Sequence, residues 1–422
     1  MAIEIKVQEK QKLSVWKGLG GAITEATAYN FSKLDSEKQQ AFLQAYYGKD
    51  GLGYSWGRIS IGSNDFCLKP FEYTKKMDLS DFSIEHDRKW LIPMIQKILK
   101  HNKDLIFLAA PWSPPSFMKF TGMTRFGGRL KFWRYAKYTE YLCKWLQAYK
   151  EEGINVRYLS PQNEPHAYQI WESCVYGYWG QRRLTYRYLS RALNEYGVKL
   201  LLWDHNKQNL SKVADKLLRF EDPRVAGICY HWYTGTFADE MWRAYEKHPD
   251  KMFVSSEMCC GYSEYDKQDW QKDANLYIGE LFSDINSGTS AFIDWNMLLD
   301  WRGGPSYCKN YVKSPVMLNE NGDDFILTPI YAKLLEFAKL FPKGSQALRC
   351  ERIGEVKTKQ RASLRHPSRP SDVVAIARED EGDKIAVIVA NVSDKEQSVV
   401  LSCKGKTKEA KLKANEIRAI RF

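Results

Sequence analysis

An α/β fold, a (β/α)8 barrel carrying a small all-β side domain of β-sandwich type, is what this sequence predicts, on three observations. Between residues 16 and 340, short apolar runs alternate with stretches of helical period, and eight strand-helix units can be counted. From Lys343 onward the long helical stretches stop and short runs separated by turns take over. At 422 residues the chain exceeds the roughly 250 of a barrel by enough for one small extra domain.

The elements follow in order. Ile3 to Val7 alternates apolar and polar residues as a half-buried strand does, and residues 1–14 are assigned to the β domain. The barrel, residues 15–342, opens with the glycine-rich strand Trp16 to Ile23, where backbone approaches a neighbour closely, then a helix from Glu37 to Tyr47 with Ser36 as its cap. Strand Gly53 to Ile61, helix Ile84 to Lys100 with a kink at Pro93, and strand Leu105 to Ala110 continue the pattern. Helix Lys131 to Glu152 ends at Gly153, and strand Tyr158 to Asn163 delivers Glu164. The second half reads helix Arg182 to Glu195, strand Leu200 to Asp204, helix Leu210 to Arg219, strand Val225 to Tyr233, helix Phe237 to Lys247 and strand Met252 to Ser256. Helix Asp266 to Ile285, strand Ser290 to Trp295 and helix Pro329 to Leu340 complete eight units. The side domain, residues 343–422, carries strands Val373 to Ala377, Lys384 to Ala390 and Ser398 to Ser402, and the N-terminal strand is expected to join its sheet.

Composition excludes several classes. The net charge of +12 is spread along the chain with acidic residues interleaved, so no basic cluster marks a nucleic-acid site. No run approaches the roughly 20 apolar residues of a membrane span, and the first residues lack the apolar core of a signal peptide. Nine cysteines at irregular spacing fit a reducing compartment, and cytoplasm is the expected address. Gly51-Leu52-Gly53-Tyr54-Ser55-Trp56-Gly57 is one residue out of register for a dinucleotide fingerprint, and neither a phosphate loop nor a nucleophile elbow is present. The seven histidines show no metal-ligand spacing, and Cys259-Cys260 are adjacent, so neither cofactor nor metal is expected. The 14 Trp and 25 Tyr exceed what a core of this size requires, which suits stacking on flat ligand faces.

Ser160-Pro161-Gln162-Asn163-Glu164-Pro165, at the end of the strand from Tyr158, and Phe253-Val254-Ser255-Ser256-Glu257-Met258, which begins apolar, each lead to a carboxylate. In a barrel, the carboxyl ends of the strands build the active site, and these glutamates close the fourth and seventh. Cleaving a glycosidic bond requires a proton for the leaving oxygen and a partner for the developing oxocarbenium carbon, which two carboxyl groups supply. Asn163 adds a neutral amide able to bind a sugar hydroxyl, and Pro161 and Pro165 restrict the backbone around it.

Pro161-Gln162-Asn163-Glu164-Pro165 with Ser256-Glu257 resembles the retaining glycoside hydrolases of family 30, the glucosylceramidase family. The resemblance runs through Gly18-Leu19-Gly20-Gly21-Ala22, Arg58 with Asp65-Phe66, Pro111-Trp112-Ser113-Pro114-Pro115, Trp203-Asp204-His205-Asn206, His231-Trp232-Tyr233, Asp294-Trp295-Asn296, Gly303-Gly304-Pro305 with Asn310, and Pro342-Lys343-Gly344-Ser345. It implies Glu164 as general acid/base, Glu257 as nucleophile and Asn163 on the sugar 2-hydroxyl. It also implies a sugar-binding shell of Asp65, Trp112, Tyr233, Trp295 and Asn310, with Arg58 orienting a catalytic carboxylate or serving as a structural ion pair. The role of His231 turns on its own charge. Glu25 and the segment Leu298 to Lys309, with Trp301, Arg302 and Tyr307, depart from the family pattern and are expected at the entrance.

The expected activity is a retaining β-glycosidase working exo-fashion on short β-glucosides or glucosylceramide-like substrates. Endo-β-1,6-glucanase or β-xylosidase action is the alternative within the family. A carbohydrate-binding protein without catalysis is the alternative outside it.

Overall fold

The computed structural model describes residues 2–262, 269–353 and 370–422. Strand β1 (Ile3–Val15) precedes the barrel, whose parallel strands are β2 (Leu19–Ala22), β3 (Trp56–Ile61), β4 (Ile106–Pro111), β5 (Val156–Leu159), β6 (Lys199–Asn206), β7 (Val225–His231), β8 (Met252–Glu257) and β9 (Ala291–Asp294). The barrel closes where β9 pairs with β2, Gly20 standing beside Ile293. Gly20 is required there, because a Cβ on it would lie 2.5 Å from the Trp56 carbonyl oxygen across the β2–β3 pairing.

Side-chain alternation sorts each strand into an inner and an outer face. Trp56, Leu108, Leu201, Cys229, Val254, Ala291 and Ile293 form an apolar plug inside the barrel, with Trp56 stacked on Tyr158 at 5.3 Å. Outward residues of the same strands, such as Ile59, Phe107 and Phe253, join the larger core under the helices. Arg58 is two residues beyond Trp56 on β3 and so stands just above the plug.

After the hairpin β10 (Val316–Leu318) and β11 (Phe325–Leu327) and the helix Pro329–Leu340, the chain forms β12 (Gln346–Arg352), β13 (Val373–Glu379), β14 (Ile385–Asn391), β15 (Gln397–Cys403), β16 (Lys406–Leu412) and β17 (Ile417–Arg421). These six strands and β1 make a seven-stranded sheet ordered β16-β15-β1-β12-β13-β14-β17. β1 pairs antiparallel with β12 and parallel with β15, as the expected sharing of the N-terminal strand requires. Both faces of the central strands are buried: Val373, Ala375, Val387 and Val389 pack with Ile5, Val7 and Leu401, while Val374, Ile376, Ala386 and Ile388 belong to the core shared with the barrel. At about 25 cal/mol per Å² of apolar surface, that double burial holds side domain and barrel together.

Several local details differ from the sequence reading. Pro93 does not kink a long helix. The chain breaks at Trp90, and Pro93 sits in the first turn of Leu91–His101, where its missing N–H is no loss. Asp35, not Ser36, caps the earlier helix Ser36–Tyr47, accepting from the Lys38 N–H. The segment expected as helix from Arg182 begins at Tyr178 and passes through a π turn, Thr185–Leu189. The helix expected from Asp266 runs Trp270–Ile285 under an Asp269 cap, and residues 266–268 lie outside the described ones. No helix among the described residues is long and apolar enough to cross a membrane. All nine cysteines carry free thiols.

Candidate active site

The carboxyl ends of β3 to β9 converge on one cluster of charges. β5 ends at Leu159, and the chain runs on through Pro161 to Glu164, held by Asn163 N–H to the Pro111 carbonyl (2.9 Å) and Glu164 N–H to the Asp204 carbonyl (2.9 Å). Glu164 has φ of 45°, a left-handed conformation costly for a residue with a Cβ and found where geometry matters more than local comfort.

Arg58 is the hub. Its guanidinium donates to Glu257 Oε2, to Asn163 Oδ1 at 2.8 Å and to Asp204 Oδ2 at 3.0 Å, and it lies over the Trp112 ring at 4.9 Å from the centroid. It is 1% exposed, so both functions offered for it, ion pairing and orienting Glu257, belong to the same contacts. Tyr233 donates to the other Glu257 oxygen at 2.8 Å, which leaves that carboxylate fixed from both sides.

His231, at the end of β7, has a carboxylate on each ring nitrogen: Nε2 to Asp204 Oδ1 at 3.1 Å and Nδ1 to Glu164 Oε1 at 3.2 Å. Two acceptor-only partners call for two N–H donors, hence an imidazolium. Burial alone would pull the ring down, but Glu257, Asp204 and Glu164 together outweigh it and raise it to about 9. Burial pushes the Glu164 carboxyl up, and the hydrogen bond and charge of His231, with His205 beyond it, more than reverse that and hold it below its usual range. Asp204 is fully buried yet kept well below the ordinary carboxylate range by Arg58, His231 and the Ser256 hydroxyl, the last at 2.6 Å.

One oxygen each of Glu164 and Glu257 and a nitrogen of His231 lie within 4.8 Å of one another. This is the group among the described residues that could hold a cation, but its donors are already engaged by Arg58, Tyr233 and the His231 contacts. Two buried cations, Arg58 and His231, are thus shared among the three carboxyl groups of Glu164, Asp204 and Glu257.

Around this cluster, Trp112 and Trp295 stack at 5.3 Å and share an apolar group with Phe66, Tyr233 and Cys259. Asp65 is 3% exposed and accepts from Asn310 Nδ2 at 2.7 Å, while Ser306 donates to its backbone carbonyl at 2.7 Å. Burial raises the Asp65 carboxyl to about 8, against the pull of the Asn310 amide. The ten residues singled out from the sequence are thus brought to one mouth of the barrel. Glu25 is not at an open entrance: it is buried, and its oxygens are taken by the Leu68 N–H and the His86 ring. Tyr307 is tied to Glu172 at 2.6 Å, and Trp301 is exposed.

Asp204, Ser256 and His205 were not among the expected site residues. Asp204 directly follows the apolar run Leu200-Leu201-Leu202-Trp203, which marks it as a strand-end carboxylate in the sequence. Its inward direction was not, because plain alternation from Leu201 would put Trp203 inside. A bulge between Trp203 and His205, with φ of 82° at Trp203 and 52° at Asp204, reverses the parity.

Paired carboxylates with an amide neighbour and stacked indoles at the carboxyl mouth of a (β/α)8 barrel define a glycoside hydrolase. The model of the glycosyl hydrolase family 30 TIM-barrel domain matches residues 16–341, and the chain belongs to that family. It is 29% identical over 406 residues to the lysosomal acid glucosylceramidase of Mus musculus, covering 89% of this chain and 78% of the mouse protein. It is 24% identical over 346 residues to an endo-1,6-beta-D-glucanase of Neurospora crassa, covering 78% and 71%. Among solved structures, SrfJ from Salmonella typhimurium superposes with a TM-score of 0.87 at 25% identity, over 100% of this chain and 92% of that one.

Proposed function

We propose that this glycoside hydrolase is a retaining β-glucosidase working by double displacement. The observation that carries the reading is the approach of Glu164 and Glu257 to within 4.8 Å. Retaining enzymes hold their carboxyl groups about 5–5.5 Å apart, and inverting ones leave about 6.5–9.5 Å for a water. Glu257, oriented by Arg58 and Tyr233, attacks the anomeric carbon and forms the glycosyl-enzyme bond while the leaving oxygen takes the proton of Glu164. Glu164 then removes a proton from the water that displaces Glu257. Asn163, anchored through its oxygen by Arg58, serves the sugar 2-hydroxyl.

Exo action on short β-glucosides or on glucosylceramide-like substrates is supported by Asp65, which the segment carrying Ser306 and Asn310 covers, so that a terminal sugar would meet a closed end. Endo-β-1,6-glucanase action is the second reading, favoured by the Neurospora relative. A panel of nitrophenyl β-glycosides set against long β-1,6-glucan separates them. Turnover of the β-glucoside is expected, and turnover of polymer alone would refute exo action.

A further inference from the structure

The loop between β4 and the helix Tyr135–Glu151 leaves the site at Trp112 and carries a surface that the hydrolytic reaction does not use. Phe120, Met123, Phe132 and Trp133 on it, and Tyr168 and Ile170 on the loop after β5, are each between 48% and 68% exposed. Phe120 and Phe132 both pack edge-on against Trp133, at 5.4 and 4.8 Å. The two loops are joined by Phe126 N–H to the Gln169 carbonyl (3.0 Å) and a backbone bridge between Arg125 and Glu172. The loop is pinned beside the mouth of the barrel, since the buried Lys119 ammonium donates to Ser113 Oγ at 3.0 Å and to the Ser173 carbonyl at 2.7 Å. Monomeric proteins rarely leave so many large apolar side chains together in water.

The loop itself is basic. From Ser116 to Thr139 there is no Asp or Glu, whereas Arg125, Arg129, Lys131, Arg134 and Lys137 are interspersed among the aromatic residues. The nearby acids are already engaged: Glu72 accepts from Ser116, Glu172 is buried under Ser63 and Tyr307, and Glu140 pairs with Lys137. Aromatic rings among basic side chains are the composition that enters the headgroup region of an anionic bilayer. A neutral glucan would offer Arg125 and Arg129 no counter-charge, and rings crossing at 87° and 88° do not make one flat stacking face.

We propose that this patch docks the enzyme on an anionic lipid surface with the mouth of the barrel beside the membrane, whichever sugar the site cleaves. The test is flotation of the full chain with vesicles of phosphatidylcholine alone and of phosphatidylcholine mixed with phosphatidylserine. Binding is expected only to the anionic vesicles. R125Q/R129Q should weaken it roughly 30-fold and F120S/W133S should abolish it, with unchanged melting and unchanged hydrolysis of a soluble aryl β-glucoside. No flotation, equal flotation on the neutral vesicles, or both variants floating like the parent would overturn the proposal. Retention on insoluble β-glucan that F120S/W133S loses, without vesicle binding, would overturn it in favour of a glucan platform. Flotation is independent of catalysis, so failure of the β-glucosidase reading would appear in the aryl glucoside assay and leave this result standing.

Discussion

His231 Nδ1 stands 3.2 Å from Glu164 Oε1, so the proposed proton donor of the reaction has a buried cation as its nearest neighbour. That cation favours the ionised form of Glu164, whereas an acid catalyst must hold its proton until the leaving oxygen needs it. The alkaline limb of kcat/KM should therefore report a Glu164 depressed by His231. Replacing His231 with Asn removes the cation, raises Glu164 and moves the limb to higher pH, while Asn163→Ala lowers the rate without moving it.

The same ring links stability to pH. Its folded-state value of about 9 lies above the ordinary 6.5, so its contacts stabilise the fold fully below about pH 6.5 and lose that contribution as pH rises through about 9. The melting temperature of the parent should fall across this window, and that of H231N should fall less.

Glu164→Ala should slow turnover of a natural β-glucoside by about 10²–10⁴-fold. It should spare glycosylation by a substrate whose leaving group needs no proton, and azide should restore that turnover. Azide does so because, unlike water, it attacks the glycosyl-enzyme without losing a proton to a base. Glu257→Ala should abolish turnover of both substrates in the absence of azide, because no glycosyl-enzyme forms without the carboxylate that Arg58 and Tyr233 hold. Steady-state rates on a dinitrophenyl β-glucoside with and without azide check both.

Away from the mouth, Lys207 bridges Glu280 at 2.7 Å and Asp284 at 2.8 Å, with all three buried. Lys207→Met would leave two buried carboxylates without their cation, Glu280 keeping only the Thr236 hydroxyl. A loss of about 3–5 kcal/mol is expected, visible as a lower denaturation midpoint, and an unchanged midpoint would contradict the role assigned to the triad.

The alternation of short apolar runs with helical stretches made the barrel legible, because a parallel strand buried on both faces leaves a compact signature. The glutamates were legible for a related reason: a carboxylate just past an apolar run on a barrel strand has only the mouth to occupy. What the residues did not disclose depended on three-dimensional parity or on charge. Asp204 turns inward only through the β6 bulge. β16, with exposed lysines along Lys406–Leu412, reads as a basic tail, yet it is the sheet edge, where charge deters further pairing. Glu25 read as an entrance residue because its partners, Leu68 N–H and His86, lie 43 and 61 positions away.

Glu164 and Glu257, within 4.8 Å of one another, leave room for a covalent glycosyl intermediate and too little for an inverting water. The decisive measurement is proton NMR of the sugar released in the first seconds of β-glucoside hydrolysis. The β-anomer is expected first, with the α-anomer appearing only at the pace of mutarotation; first appearance of the α-anomer would rule out retention.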